Sequence, residues 1–349
     1  MKTFFQKTTL LLLLVFSISI PLFSQKATAV TGVSITVEDL AREVAFFTKI
    51  LDFQKIKEET QSGEEIAKLY GLPEKTASVQ VVTLQLGSEK IQLLDFDGEP
   101  SRPVAADTRS NDLWFQHLAI VVSDMEAAYQ KLLENKVVHV STSPQALPDY
   151  LPNAAGIKAF YFRDPEGHNL ELIWFPAGKG NPRWQPSTMS REPSTVFLGI
   201  DHTAIGIADT DSSMAFYRDA LGLVHGGHSE NYGTEQEHLN QVFGARLDIN
   251  GLHADAGFGV EFLRYIAPPG GRSFPADSRP TDLWHYQTEL EVDDLPKMLE
   301  KLEKRGFRKI SSGAAQIGNA EMFLLRDPDG HAVLLKSKGK KEKGEKEKG

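Results

Sequence analysis

Four residues of this chain have the types and the spacing of a metal site: His117, Glu171, His202 and Glu261. The two histidines each open a short alternating segment, and the two glutamates each lie in a later one. Two imidazoles and two carboxylates suit Zn²⁺, Ni²⁺, Co²⁺, Mn²⁺ or Fe²⁺. Any one of them alone could be an ordinary polar residue of a strand, so the indication comes from the matched set.

The pattern of apolar residues around His117 predicts where its side chain points. Successive side chains of a strand point to opposite faces, so Leu118 and Ile120 share one face while His117 and Ala119 share the other. Alternation around the other three residues is of the same kind. We therefore expect all four on the concave face of a curved sheet, with small neighbours that leave room for a metal and a substrate.

The elements that must position these residues come from an internal repeat. The run Arg109–Trp114 recurs as Arg279–Trp284, and Arg163–His168 recurs as Arg326–His331. A repeat of this length indicates two copies of one domain. Each copy is duplicated again, because a strand, an acidic cap and an amphipathic helix occur in order four times. The fold class is therefore predicted as α+β, with four βαβββ units.

The predicted boundaries follow the repeat. Residues 30–176 form the first domain, 177–195 a Pro- and Gly-rich linker in which Trp184 could be an anchor, and 196–338 the second domain. Residues 339–349 are rich in Lys, Glu and Gly and are predicted to be a disordered tail. Residues 1–29 resemble a signal peptide with cleavage after Ala29.

The N-terminal segment predicts an exported protein, either periplasmic or secreted by a bacterium. The apolar run from Leu10 to Phe23 is shorter than the roughly 20 residues that a spanning helix needs, so we expect no stable membrane insertion after processing. A retained membrane anchor is the alternative. The chain has no cysteine, which excludes disulfides and thiol chemistry, and its net charge of −9 argues against nucleic acid as a partner.

Four βαβββ units with His on a first strand and Glu on a last strand resemble the vicinal oxygen chelate superfamily. This group includes glyoxalase I, bleomycin resistance proteins, extradiol dioxygenases, methylmalonyl-CoA epimerase and fosfomycin-resistance proteins. The resemblance covers about residues 30 to 338 and is closest to fused, two-copy forms. It implies two glyoxalase-like domains in which units pair into cups, with up to two metal ligands from each unit.

The resemblance leaves two ways of pairing the units. If the second unit pairs with the third, His117, Glu171, His202 and Glu261 share one site, and the first and fourth units hold a degenerate one. That second site would contain residues that hold a divalent metal poorly, namely Gly32, Gln92, Gln287 and Leu334. If each copy closes on itself, Gln92 joins His117 and Glu171, while Gln287 joins His202 and Glu261. The matched set favours the first pairing.

The resemblance implies a metal-dependent lyase or isomerase of the glyoxalase I kind. It would act on a small oxygenated substrate of the α-hydroxy-carbonyl type through an enediolate, with Glu171 or Glu261 as the general base. The export signal is at odds with a glutathione adduct, because glutathione is mainly cytosolic. An Fe²⁺ extradiol-type dioxygenase and a non-enzymatic binder of small molecules are the alternatives. The internal duplication is compatible with a monomer.

Overall fold

The computed structural model describes residues 25–73, 77–98, 101–185 and 195–339. Two curved β-sheets, one 10-stranded and one 9-stranded, make up this part of the chain. The fold class is mixed α+β, as predicted. The predicted signal segment up to residue 24, part of the linker (186–194) and the tail from residue 340 lie outside the described residues.

The first and third units both contain a short second helix that the sequence did not predict. The first unit contains β1 (Ala27–Thr36), α1 (Leu40–Lys49), β2 (Gln54–Ser62), α2 (Glu64–Tyr70), β3 (Ser78–Leu86) and β4 (Glu89–Phe96). Strands dominate the second unit, which contains β5 (Gln116–Val122), α3 (Met125–Glu134), β6 (Val138–His139), β7 (Gln145–Ala146), β8 (Lys158–Arg163) and β9 (Asn169–Trp174). The extra helix therefore distinguishes the odd units from the even ones.

A 3-10 turn at Pro182–Trp184 leads towards the third unit. That unit contains β10 (Phe197–Gly206), α4 (Thr210–Met214) continued by a π-helix (Ala215–Ala220), β11 (Val224–Tyr232), α5 (Thr234–Asn240), β12 (Arg246–His253), β13 (Ala256–Gly257) and β14 (Gly259–Ala267). The fourth unit contains β15 (Tyr286–Val292), α6 (Leu295–Glu303), β16 (Arg308–Lys309), β17 (Ala315–Ile317), β18 (Ala320–Arg326) and β19 (Ala332–Ser337).

The sheet order settles which units pair. In the 9-stranded sheet, β5 of the second unit lies antiparallel to β10 of the third. In the 10-stranded sheet, β1 of the first unit lies antiparallel to β15 of the fourth. The predicted pairing of the second unit with the third is confirmed, and the alternative in which each copy closes on itself is wrong. Apart from the short β13 of the third unit, which pairs with β1, each sheet thus takes one unit from each half of the chain.

Side-chain alternation sorts the core as expected. The side chains that face the helices form one apolar cluster that joins both sheets, including Ile35, Phe47, Ile120, Phe262 and Leu290. The opposite face of the 9-stranded sheet carries smaller clusters instead. Because the large apolar residues are gathered on the helix side, the concave face keeps room for polar side chains.

The repeated sequence motifs turn out to join the two halves reciprocally. Arg102 pairs with the buried carboxylate of Asp282 at 2.7 Å, and Arg272 pairs with that of Asp112 at the same distance. Each guanidinium also lies over a tryptophan of the opposite half. The two tryptophans, Trp114 and Trp284, stack with ring centroids 5.9 Å apart, so the contact repeats itself about an approximate twofold axis.

The turn that ends at His168 has a structural role. Its imidazole Nδ1 lies 2.6 Å from a carboxylate oxygen of Asp164, and its Nε2 lies 2.6 Å from the carbonyl oxygen of Leu283 in the other half. In the matching turn, His331 Nε2 lies 2.8 Å from the carbonyl oxygen of Gly206. Both histidines therefore link the two sheets, away from the predicted metal site.

The N-terminal boundary of the first domain differs from the prediction. Strand β1 begins at Ala27, ahead of the predicted domain start at residue 30, and the buried Ala27 donates its N–H to the carbonyl oxygen of Leu221. Cleavage after Ala29 would remove the first residues of this strand. Within the described ranges, no helix has the length and apolar character needed to cross a membrane.

Candidate metal centre

The two histidines lie on the central strands of the 9-stranded sheet. His117 on β5 is opposite Ala204, and His202 on β10 is opposite Ala119. Glu171 on β9 and Glu261 on β14 come from the flanking strands, beside Ala119 and Ala204 respectively. Since neighbouring positions across a sheet share a face, all four predicted residues point to the same concave side. The alanines provide the room in which the longer side chains meet.

Three of the four residues converge on one point. His117 Nε2 lies 3.0 Å from Glu171 Oε2, and His202 Nε2 lies 3.5 Å from the same oxygen. One atom from each of these residues lies within 4.8 Å of the others. Glu261 reaches the group from the edge, with its Oε2 3.5 Å from His202 Nε2. The site is therefore a tight triad with a fourth, looser carboxylate.

The hydrogen bonding of these residues fits a cation. Glu171 Oε2, His202 Nε2 and both ring nitrogens of His117 are buried without a hydrogen-bond partner among the described residues. Buried polar atoms normally have a hydrogen-bond partner. A group of buried nitrogen and oxygen atoms without such partners, gathered around one point, therefore needs a shared partner. Adjacent ligands on bonds of about 2.1 Å lie about 3 Å apart, close to the distances seen here. The residues present therefore fit a divalent metal.

The two carboxylates have different electrostatic surroundings. Burial alone would raise the pKa of Glu171, but His117 and His202 together lower it to about 2. Burial raises the pKa of Glu261 to about 6, although His202 opposes this change. The side chain of Glu261 is also 27% exposed, against 6% for Glu171. Glu171 is thus held as a carboxylate, whereas Glu261 faces the cavity and can take up a proton near neutral pH.

The two imidazoles also differ. Burial lowers the pKa of His117, whose ring packs against Tyr161 with centroids 4.8 Å apart. Burial would lower the pKa of His202 as well, but Glu261, Asp201 and Glu171 raise it well above its ordinary value. Asp201 contributes through its Oδ2, which lies 3.1 Å from His202 Nδ1. A carboxylate on Nδ1 fixes the tautomer whose Nε2 is free to bind a metal.

Asp201 is itself positioned by the linker. Trp184 Nε1 donates to Asp201 Oδ1 at 2.5 Å, and the indole packs beside Ala119 on the concave face. A Cβ on Gly199 would lie 2.7 Å from this ring, so the approach requires glycine there. The interpretation of Trp184 as an anchor is confirmed. The sequence analysis did not identify Asp201, although its place directly before His202 was a usable signal.

A cavity of about 570 Å³ opens beside the metal centre. It lies between the concave face, the 147–157 loop and strands β11 and β12, and Glu171, His202 and Glu261 form its floor. Residues 228–232 belong to strand β11 and pair with β12. Within this strand, His228 and Asn231 line the cavity.

The second cup has the degenerate residues that the repeat predicted. Gly32 and Gln287 lie on the central strands β1 and β15, and Gln92 and Leu334 lie on the flanking strands, in the registers of the four metal-site residues. The space left at Gly32 is taken by Glu289, a residue that the sequence analysis did not single out.

The carboxylate of Glu289 in this second cup is satisfied by the protein itself. Ser34 donates a hydrogen bond to it at 2.6 Å, and Lys336 forms an ion pair with it at 3.0 Å. Its position corresponds to that of Ala119 in the metal-site sheet, as the register of β1 with β15 shows. An ammonium group thus neutralises the carboxylate where the other sheet has its candidate metal ligands.

The paired βαβββ units and the His and Glu residues on their central and flanking strands define a class of proteins in which two units form one cup around a cation. The family model described as the Glyoxalase/Bleomycin resistance protein/Dioxygenase superfamily matches residues 29–172 and 199–335. The chain therefore belongs to this superfamily, in a fused two-domain form.

Individual relatives agree with this membership. The chain is 32% identical over 155 residues to a 2-epi-5-epi-valiolone epimerase from an Actinomyces species, covering 44% of the chain and 82% of that protein. It is 27% identical over 168 residues to the lactoylglutathione lyase-like protein terB of Aspergillus terreus, with the same two coverages. Both relatives carry the names of enzymes or enzyme-like proteins.

Solved structures show the same fold. Glyoxalase I from Zea mays superimposes with a TM-score of 0.57 at 15% identity, over 90% of this chain and 92% of that one. A putative dioxygenase from Bacillus subtilis superimposes with a TM-score of 0.56 at 12% identity, over 90% of this chain and 86% of that one. At such low identity these likenesses concern the fold alone.

Proposed function

We propose that this protein is a metal-dependent isomerase, epimerase or lyase that moves a proton at a carbon next to a carbonyl group. The substrate is a small oxygenated molecule of the α-hydroxy-carbonyl type. The observation that carries this proposal is the unequal pair of carboxylates. Glu171 is held between two histidines, while Glu261 lies 3.5 Å from His202 and faces the cavity. The enzyme names of the two curated relatives support the same class of reaction.

His117, Glu171 and His202 would hold a divalent metal, with Glu261 as a fourth ligand that can be released. When bound, the metal would act as a Lewis acid that stabilises negative charge on the oxygens of the substrate. Asp201 keeps the His202 tautomer with its proton on Nδ1, which leaves Nε2 for the cation. Zn²⁺, Ni²⁺, Co²⁺, Mn²⁺ and Fe²⁺ all suit this donor set.

Glu261 is the proposed general base. It takes the proton from the carbon beside the carbonyl, which leaves the substrate as its enediolate. Return of this proton to the neighbouring carbon, with the hydroxyl proton moving from one substrate oxygen to the other, gives an isomer. Protonation of the original carbon from the opposite face, by an acid other than Glu261, gives an epimer. A pKa of about 6 makes the carboxylate form of Glu261 abundant at neutral pH and its conjugate acid strong enough to give the proton back.

One observation favours a second candidate function. The tight triad of His117, Glu171 and His202 is a set of two histidines and one carboxylate, which is also the ligand set of non-haem Fe²⁺ oxygenases. In an extradiol-type dioxygenase Glu261 would not be a ligand. Oxygen consumption with a catechol substrate separates this reading from proton transfer, which consumes no oxygen.

The two glutamates give a direct test. Glu171→Gln should lose the metal, whereas Glu261→Gln should retain it and lose at least about 100-fold in turnover, the size expected for removal of a general base. Metal content is measured by elemental analysis, and proton transfer by deuterium uptake from D₂O at the carbon next to the carbonyl. A Glu261→Gln variant with unchanged exchange would overturn the assignment of the base.

The histidines test the shared site. We expect one metal per chain, lost equally in His117→Ala and His202→Ala, because the two residues face the same carboxylate. Metal retained in either variant would contradict a single centre. A protein that binds small carbonyl compounds with no exchange in any variant would instead be a non-enzymatic binder.

We also propose that the protein is exported and works as a monomer. The apolar run from Leu10 to Phe23 supports export, and the internal pairing of units supports the monomer. Cell fractionation followed by N-terminal sequencing tests the first point, and sedimentation of the purified protein tests the second.

A further inference from the structure

The residues that line the cavity indicate the chemical class of the substrate, which the candidate metal ligands alone do not. We infer that the substrate is an uncharged, polyhydroxylated carbonyl compound, of the kind formed by sugars and cyclic polyol ketones, and not a carboxylate, a phosphate ester or a glutathione adduct. This inference rests on the proposed function, since it concerns the molecule whose carbonyl would face Glu261.

The first observation is the charge of the cavity. Among the described residues that line it there is no lysine and no arginine, while Glu171, Glu261 and Asp201 contribute three carboxylates. The two histidines of the lining are held by carboxylates, His202 by Asp201 and His228 by Asp248. One divalent cation does not balance three carboxylates, so the site has no positive charge to spare. Because a buried charge is costly unless it is paired, an anionic group on the substrate would find no partner here.

Basic residues close to the cavity are committed to other contacts. The ammonium group of Lys179 donates to the carbonyl oxygens of Pro152 and Asn153 at 2.6 and 3.4 Å. Arg264 pairs with Asp248 at 3.1 Å, and the same aspartate also holds the His228 side chain at the rim. These contacts keep both side chains within the protein framework.

The second observation is an unpartnered hydrogen-bond acceptor. Gln236 lines the cavity and is 1% exposed, and its Oε1 has no hydrogen-bond partner among the described residues. Its Nε2 donates to Asn240 Oδ1, and Asn240 Nδ2 in turn donates to the Tyr265 hydroxyl at 2.7 Å. In this chain of bonds the Gln236 amide oxygen is the end that is left over. An amide oxygen requires a donor, and a substrate hydroxyl supplies one.

The third observation is the combination of surfaces. One wall is formed by backbone at Gly227 and Gly251, where a Cβ would meet nothing within 4 Å. Leu147 and Ile157 supply an apolar surface, and Asn231 adds a further uncharged polar group. A volume of about 570 Å³ lies within the range of about 300 to 1,000 Å³ typical of small-molecule sites. Such walls suit a compact molecule with apolar C–H faces and several hydroxyl groups.

Calorimetry of the metal-loaded protein tests the inference with matched pairs of probes. The pairs are fructose with fructose 6-phosphate and dihydroxyacetone with its phosphate; scyllo-inosose is added as a cyclic polyol ketone, and the hemithioacetal of methylglyoxal and glutathione as the anionic adduct. We expect at least one uncharged compound to bind, and at least about tenfold more tightly than any anionic probe. Tighter binding of an anionic probe than of its uncharged partner would overturn the inference, as would the absence of binding by every uncharged probe at 10 mM.

Gln236→Leu and Gln236→Glu are the matched variants. The first removes the acceptor while keeping the size, and the second restores an acceptor of the same length. We expect Gln236→Leu to weaken binding of the uncharged probe by about tenfold with unchanged metal content, and Gln236→Glu to recover part of the loss. Equal binding by wild type and Gln236→Leu would remove Gln236 from the site and overturn the inference.

Deuterium exchange keeps this test separate from that of the proposed function. If an uncharged polyol binds through Gln236 but exchanges no deuterium, the proposed reaction fails and the substrate inference stands. If exchange is fastest with a phosphate ester or with the glutathione adduct, the reaction stands and the substrate inference fails.

Discussion

Replacing Asp201 with asparagine should weaken metal binding although Asp201 is not a metal ligand. Its two carboxylate oxygens are divided between Trp184 Nε1 at 2.5 Å and His202 Nδ1 at 3.1 Å. An asparagine has one oxygen and one NH₂ group. Because the indole N–H is buried and leaving it unpartnered costs about 1–3 kcal/mol, the amide oxygen would remain with Trp184. The NH₂ group would then face His202 Nδ1.

That arrangement inverts the tautomer of His202. With a donor opposite Nδ1, the imidazole must carry its proton on Nε2, the nitrogen that faces Glu171 and Glu261. Mutation of a residue that orients a metal-bound histidine typically lowers metal affinity about 10- to 100-fold, which corresponds to about 1.4–2.8 kcal/mol. We expect the loss of metal affinity in Asp201→Asn to lie near the upper end of this range, because the substitution removes an acceptor and also introduces a donor.

Trp184→Phe is the matched control. It removes the indole N–H but leaves the carboxylate of Asp201 opposite His202, so metal affinity should fall by less than tenfold. Both affinities can be measured by titrating Zn²⁺ or Co²⁺ against a fluorescent chelator, with circular dichroism to confirm that each variant is folded. A folded Asp201→Asn variant with metal affinity within twofold of wild type would refute the reasoning. A Trp184→Phe variant that binds the metal more weakly than Asp201→Asn would also refute it.

Three further predictions concern stability. Replacing Arg102 or Arg272 with alanine should each lower the free energy of unfolding by about 2 kcal/mol, because each substitution removes the arginine that lies 2.7 Å from a buried aspartate; both arginines are partly exposed. Urea denaturation that shows one variant unaffected would contradict the reciprocal arrangement. Burial raises the pKa of Glu43 to about 9, so the folded protein keeps a proton that the unfolded chain loses above about pH 4.5. The free energy of unfolding should therefore fall as pH rises from 5 to 9. Glu43→Gln should flatten this decline and raise the melting temperature at pH 8 by a few degrees; identical pH profiles for the two proteins would contradict a raised pKa at Glu43. A chain that starts at residue 30 should melt at a lower temperature than one that starts at 25, because it lacks the first residues of β1; equal melting temperatures would instead agree with cleavage after Ala29.

Much of the metal centre follows from the sequence because it depends on periodicity. The repeat places His117 and His202 at corresponding points, and strand alternation puts them on one face. Both expectations hold in the structure, because β5 pairs regularly around His117 and β10 pairs regularly from His202 onwards. The pairing of units could be inferred for the same reason, because only one arrangement joins the complete set of four.

The features that the sequence analysis missed depend on local irregularity or on what fills a space. The register shifts between Ile200 and His202, so alternation cannot show that Asp201 lies beside the imidazole of its neighbour. The short helices α2 and α5 begin after Gly63 and Gly233 without a side-chain cap, and so lack a start signal. Glu289 shares its strand face with Gln287, but only the three-dimensional contact with Lys336 shows that it closes the second cup.

The interleaved order of the two sheets has a consequence for synthesis. As the chain leaves the ribosome, the 9-stranded sheet can be completed once β14 has emerged, because β5 and β10 are already available. Strand β1 must wait for β15, near the end of the chain, and meanwhile presents an unpaired edge with the apolar Val30, Val33 and Ile35. Unpaired apolar edges favour aggregation. The 9-stranded sheet, which holds the candidate metal ligands, can therefore form first. The 10-stranded sheet is the more exposed to misassembly in the newly made chain.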